Sequence, residues 1–234
     1  MKRGAVFSPL PSSAGPESVR DRLRIGKITV LVTTPPIYRQ TVEGIRAELP
    51  ALRDVIIAAG SAGPATLDLA AALDTASPDY PIAATAPADP ALLLFTSGRS
   101  GSPRGVLHVH DAAVAHAATG RWALDLRRGD VFWCTGNAGR ATDVSYGMVA
   151  PLICGATVIG YTGEFDVRSW YRVLAEQRVN VWGTGPAELR RLMSRGVDLP
   201  HTVDLSAAAR GERGGGARPA GRGPGGGGTR PSGP

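Results

Sequence analysis

Apolar, β-branched runs recur along this chain at 4–10, 27–34, 54–59, 91–96, 130–135, 156–162 and 180–185. Each reads as a strand, and the segments between them carry helical spacing: 15–25, 36–49, 66–75, 111–125, 144–153, 166–178 and 186–195. The clearest helix is DVRSWYRVLAEQR, in which Val167, Trp170, Tyr171, Leu174 and Ala175 make one apolar stripe. Strand–helix alternation with short connections predicts βαβ units and a largely parallel sheet, an α/β fold. The Ala- and Pro-rich stretch at 76–90 predicts a linker between a smaller N-terminal part and a larger one.

Composition narrows this picture. The 234 residues are 43% apolar, enough to bury a core as one large domain or two small ones. No apolar stretch approaches the roughly 18 residues that cross a membrane, and Pro9 and Pro11 interrupt any signal-type core near the start. Cys134 and Cys154 are too few for a disulfide framework, read as core thiols, and point to the cytoplasm. The net charge is +6, but residues 207–234 hold five arginines and one glutamate, so they supply +4 of it. The body is nearly neutral, and nucleic acid is not an expected partner.

From residue 207 the pattern stops. Eleven of the last 28 residues are Gly and four are Pro, with no Val, Ile, Leu or aromatic residue. Such a segment lacks the apolar surface to offset its ordering entropy and is expected to be disordered. An Arg-Gly tail that holds RNA by charge is the functional alternative, and it lacks aromatic residues for base stacking.

The candidate chemistry lies in LLLFTSGRSGSPRG, residues 92–105. Glycines allow close backbone approach, successive N–H groups can form an anion nest, and Thr96, Ser97, Ser100 and Ser102 add hydroxyl donors. It is not a Walker A loop, since no Lys follows a glycine. Its composition fits a phosphate binder or a plain Gly/Ser connector.

Its neighbourhood adds a resemblance. FTSGRSGSPRGVLHVH is similar to the phosphate loop of the AMP-forming acyl-CoA synthetases, T-S-G-[ST]-T-G-x-P-K-G-V, with Thr96, Ser97, Gly98, Gly101, Pro103, Gly105 and Val106 at its fixed positions. The stretch from GDVFWCTGNAGRATDVSYGM to GTGPAELRRLM resembles the acetate–CoA ligases, which carry D-x-x-W-C-T-A-D-x-G-W-V-T-G-x-S-Y and, later, G-E-F-D and T-A-P-T. The likeness runs collinearly through about residues 3–206.

The resemblance implies the large N-terminal domain of an adenylate-forming enzyme, incomplete here, and its chemistry. Acetate and ATP, with Mg2+, give acetyl-adenylate and pyrophosphate; CoA then displaces AMP. Thr96, Ser97, Gly98, Arg99, Ser100, Gly101 and Gly105 would wrap the phosphates, with Arg104 at the family's lysine. Arg140, Ala141 and Thr142 would line the acyl/CoA pocket. Acetate or another short carboxylic acid, ATP and CoA are the implied partners, all small molecules.

Several positions depart from the pattern. Arg99 replaces a small hydroxyl residue, either as a phosphate partner or as an obstruction of the site. Arg140 stands at a pocket-limiting Trp, Ala141 at a Val and Asp143 at a Gly, which points to a different acyl substrate or relaxed constraint. The family's later G-E-P, T-E and T-G-D motifs are not found, nor its lysine-bearing C-terminal domain, so the chain reads as a middle piece, inactive alone. A one-nucleotide frame slip near Ser206 is expected, because shifted codons for 207–218 permit Leu-Arg-His-Val-Ala-Ser-Val-Gly-Glu-Ala-Leu, close to the family's continuation. A non-catalytic nucleotide-binding or interaction module, or a pseudogene-like product, is the alternative.

Other polar residues read as ordinary. His108, His110 and His116 do not form H-E-x-x-H, so no zinc site is expected. Asp143 and Glu164 read as solvated loop carboxylates. ELRRLMSRG reads as a basic helix end capped by Gly196.

Overall fold

A computed structural model describes residues 3–60, 63–97, 102–137, 139–195, 203–207 and 210–213. Its larger sheet explains why VFWC is apolar without alternation. Strand β6 (Val131–Cys134) lies between β7 (Thr157–Ile159) and β8 (Val181–Thr184), all parallel, and both faces of β6 are covered. Phe132 packs with Leu126, Cys154, Ala156 and Val181. Trp133, on the opposite face, packs with Val167, Trp170, Leu174, Val179 and Leu192. The first group is carried by helix α4 (Ala112–Ala123) and its following turn with α6 (Ala150–Cys154); the second by α7 (Val167–Glu176) and α8 (Pro186–Met193). Helices on both faces of a parallel sheet are the doubly wound arrangement that the alternation predicts.

The strand starts are pinned by buried polar groups. Asn180 Oδ1 accepts from the Val131 N–H at 2.8 Å, while its Nδ2 donates to Asp130 Oδ1 at 3.0 Å. The Asp130 carboxylate also accepts from the Arg127 N–H. Helix α7 is capped by Asp166, whose carboxylate accepts from the Ser169 N–H at 2.8 Å. Hydrogen bonds from Ser169 hold the exposed Asp166 carboxyl below its ordinary value of 3.8. A depressed acid stabilises the fold above its unfolded pKa, and that contribution is lost as pH falls through the folded value. The melting-temperature gap between wild type and Asp166→Ala should therefore narrow from pH 5 to pH 2.5; a gap constant across that range would refute the cap's ionic role.

A second sheet, β1 (Val30–Thr33), β2 (Asp54–Ile57) and β3 (Leu67–Asp68), is also parallel. With α1 (Pro16–Ile25) and α2 (Pro35–Thr41) it encloses Val19, Leu23, Tyr38, Val42, Val55 and Ile57. The third sheet is different. β4 (Pro90–Ser97) and β5 (Pro103–Val109) form an antiparallel hairpin.

Several expectations need correction. Residues 103–109 are a strand that the pattern did not predict, and its hairpin departs from a wholly parallel arrangement. The run at 4–10 makes one bridge, Phe7 to Leu92, because Pro9 and Pro11 have no N–H to donate. The helix at 36–49 breaks at Val42 into α2 and a 3₁₀ segment, Glu43–Glu48, where Gly44 lowers helix propensity. The helix at 66–75 starts as β3, and α3 (Leu69–Thr75) follows with Asp68 as its cap. The helix at 144–153 begins earlier, as α5 (Ala141–Val144), and reaches α6 through a π turn, Ser145–Val149. That turn brings Gly147 onto β6, where a Cβ would lie 2.7 Å from Cys134 Sγ.

Residues 76–89 carry no helix or strand. In the tail, Arg210–Arg213 form β9, which pairs in parallel with β8; this strand departs from the expectation of no regular structure after 206. Residues 214–234 lie outside the described residues. No helix among the described residues is long and apolar enough to cross a membrane.

Candidate functional site

The hairpin fixes both ends of the Gly/Ser loop. Ser97 pairs with Pro103, Thr96 with Arg104 and Leu94 with Val106. Side chains alternate across a strand, so Thr96 shares a face with Leu94 and Leu92. Leu92 and Leu94 are buried against Val144, with Ala141 and Met148 alongside. Thr96 and Arg104 continue that face as exposed neighbours, a hydroxyl beside a guanidinium. Gly105 serves the other face: a Cβ there would stand 3.1 Å from Leu93 Cδ1 and 3.4 Å from Phe95. Its requirement for Gly is one of packing under α1. Ser97 lies in the strand, and Gly98, Arg99, Ser100 and Gly101 lie outside the described residues.

A cavity of about 380 Å³ opens beyond the carboxyl ends of β6 and β8. The chain leaves β6 to one side for β7 and returns on the other for β8, so this is the switch point where open α/β sheets bind ligands. Thr135 Oγ1 donates to Thr184 Oγ1 at 2.7 Å and the Thr135 N–H to Gly183 O at 2.9 Å, tying the two strand ends together. Around the rim stand Asn137, Arg140, Thr142, Asp143, Tyr146 and Glu188. Ala141 does not line the cavity; it faces the β4 cluster.

The turn that aims these side chains rests on the N-terminal segment. Asn137 Oδ1 accepts from the Gly139 N–H at 2.9 Å, and its Nδ2 donates to Ser13 Oγ at 3.4 Å. Gly139 is buried against Leu10 and Pro11 with no room for a Cβ. Arg140 then opens α5, its side chain 73% exposed, with Nε 3.8 Å from Asp143 Oδ2.

Asp143 is not a solvated loop carboxylate as expected. Its side chain is 18% exposed, and Oδ2 is fully shielded without a hydrogen-bond partner. Burial raises its pKa against the opposing pull of Arg140 and an Asn137 N–H bond, and the Glu188 charge adds to the rise. Glu164 stays exposed and takes no part. Glu188 had no motif to mark it; its place in the first turn of a helix directly after β8 was the available signal.

The remaining candidates are structural. His116 is buried in α4, its Nδ1 2.8 Å from Ala112 O, with its ring 5.9 Å from His108 and 5.7 Å from Tyr146. Arg191 lies over the Phe165 ring at 3.8 Å, so the basic end of α8 packs on an aromatic face. Helix α8 ends at Met193, and Gly196 lies outside the described residues.

The family described as AMP-binding enzyme matches residues 1–220. The chain belongs to this AMP-binding enzyme family. The acetyl-coenzyme A synthetase of Bacillus subtilis (strain 168) is 36% identical over 209 residues, covering 88% of this chain and 36% of that protein. Among solved structures, the acyl-CoA synthetase of Brucella canis superposes with a TM-score of 0.73 at 27% identity, covering 82% of this chain and 35% of its own. The acetoacetyl-CoA synthetase from Streptomyces lividans gives 0.70 at 26% identity, covering 82% and 32%. The chain thus spans about a third of the length of the relatives it matches, and its fold is that of their N-terminal domain.

Proposed function

We propose that this chain holds ATP phosphates at the β4–β5 loop and a carboxylic acid in the cavity beside α5, as part of an AMP-forming acyl-CoA ligase. The observation that carries the reading is the shared face. Thr96 and Arg104 extend the same side of the hairpin whose Leu94 packs on Val144, next to Asp143 of the cavity rim. The phosphate end and the acid end of an adenylation site are thereby set on adjoining ground.

Arg104 offers the planar donors that suit a phosphate, and Thr96 a hydroxyl beside it. Ser97, Gly98, Arg99, Ser100, Gly101 and Gly105 complete the proposed loop, while Arg140 and Thr142 meet the acyl or CoA group. ATP supplies the leaving pyrophosphate; donors placed where its charge develops favour its departure. Mg2+ would come with ATP, held through the phosphates of the nucleotide.

The part of such a ligase that this chain supplies is the binding of ATP phosphates and of the acid. Calorimetric titration with Mg-ATP should give weak binding, reduced about tenfold by Arg104→Ala, as for a lost charged hydrogen bond. Unmeasurable binding by the folded wild type would sink the nucleotide reading.

A further inference from the structure

We propose that a second cavity, between the start of α7 and the end of α8, binds a diphosphate group through Arg168, Arg191 and Arg195. It is separate from the hairpin loop and from the cavity beside α5, and no residue of either lines it.

The cavity measures about 460 Å³. Arg168 reaches it from the first turn of α7, Arg191 from the last turn of α8, and Arg195 from just beyond that helix. The two helices meet because Val167 and Trp170 of one and Leu192 of the other pack on the Trp133 face of the larger sheet. Three guanidiniums are thereby drawn to one hollow by the burial of their apolar neighbours.

The lining does not neutralise them. It holds one carboxylate, Asp166, which is committed to the Ser169 N–H at 2.8 Å and lies in the field of Arg172 as well as Arg168. The Ser194 hydroxyl donates to Arg191 O at 2.9 Å, so it adds no charge and spends its proton inside α8. Among the described residues no ion pair engages Arg168, Arg191 or Arg195.

One of the three is fixed in place. The Arg191 guanidinium lies 3.8 Å over the Phe165 ring, and Phe165 stands edge-on at 4.5 Å to Trp170, which is 6% exposed. A guanidinium whose face covers a ring keeps its in-plane N–H groups for another partner. Arg191 is thus oriented from the core outward, with its donors unspent.

The number and spread of the cations select the ligand. A single exposed ion pair contributes little, so a lone carboxylate or chloride gains little here. Guanidiniums pair best with phosphoryl oxygens, two at a time. Three of them on two helices call for oxygens on two linked phosphorus atoms, which the volume admits and a single phosphate does not span. Free pyrophosphate and a nucleoside diphosphate share that chemistry.

The test uses the whole chain carrying Arg104→Ala, so that loss of the proposed hairpin contact leaves this site to be measured by itself. Calorimetric titration at constant ionic strength should show pyrophosphate bound at least about tenfold more tightly than inorganic phosphate or acetate. Arg168→Glu and Arg195→Glu replace exposed side chains, and each should weaken pyrophosphate about tenfold, the scale of a lost charged hydrogen bond. ADP bound as tightly as pyrophosphate assigns the site to nucleotides, and pyrophosphate bound alone assigns it to the free ion; both uphold the diphosphate class. If the variants do not fold by circular dichroism, the Arg191 Nε resonance of the folded chain decides: it should move with pyrophosphate and stay with acetate. Pyrophosphate bound no better than phosphate, affinity unchanged in both folded charge reversals, or an unmoved Arg191 resonance overturns the proposal. Failure of Mg-ATP to bind the wild type, with pyrophosphate still held by the Arg104→Ala chain, removes the hairpin reading and leaves this site standing.

Discussion

Replacing Trp133 by alanine is expected to destabilise the protein by about 4 kcal/mol, the usual scale for deleting a fully buried indole. Trp133 is 1% exposed on the central strand, with Trp170 at 5.3 Å and 68°, Tyr161 at 6.0 Å and 71°, and Trp182 stacked at 6.3 Å. Phe165 extends the group, edge-on to Trp170 at 4.5 Å. Truncation removes the ring on which three others lean and opens a void between β6 and α7, where collapse would have to drag the helix inward. A domain of ordinary stability has only about 5–15 kcal/mol in total. Urea unfolding followed by far-UV circular dichroism should show a much lower midpoint; a shift worth under about 1 kcal/mol would mean the cluster is loosely packed.

The second large effect is expected at Gly139. A methyl group there would lie 2.0 Å from Pro11 N, 2.3 Å from Pro11 Cα and 2.5 Å from the Leu10 carbonyl carbon. All three are main-chain atoms, so relief requires the N-terminal segment to lift off the turn. Gly139→Ala should cost about 3 kcal/mol, the upper range for overpacking a filled site. It should also release residues 8–14 to proteases and weaken acid binding, because Arg140 and Asp143 are aimed by this turn. Gly44→Ala is the control: nothing lies within 4 Å of its Cβ position, and its unfolding midpoint should hold or rise slightly. A Gly139→Ala protein as stable and protease-resistant as wild type would show that the segment is not seated there.

These two sites also mark what was legible in the sequence. The apolar run at 130–135 and the stripe in 166–178 predicted β6 and α7 because period and burial coincide there. Thr96, Arg104, Arg140 and Thr142 were singled out by motif, and the structure puts the first two on the hairpin and the last two at the cavity. The hairpin escaped because pairing is non-local information: Val106 and Leu107 form an apolar run, but only the register with Leu94 and Leu93 makes it a strand.

Asp143 was misplaced for a similar reason. Nothing in RATD says that its carboxylate is covered; that depends on Gly136 and Gly139 having no side chains and on α5 starting before the apolar pattern does. Glu188 is 45 residues away in the chain (188 − 143) and meets it only because β6 and β8 are neighbours. The π turn had no sequence signature beyond Gly147, whose meaning is the contact with Cys134. Charge and burial at the cavity are tertiary facts.

Strand β9 has a consequence for how this architecture withstands change. The ladder from Val181–Thr184 to Arg210–Arg213 is carried by main-chain groups that every residue except proline possesses. A proline-free stretch rich in charge and glycine can therefore stand where the core's own selection for Val or Ile does not reach. Along Arg210–Arg213 the ladder therefore admits any residue that keeps its main-chain N–H and an extended backbone.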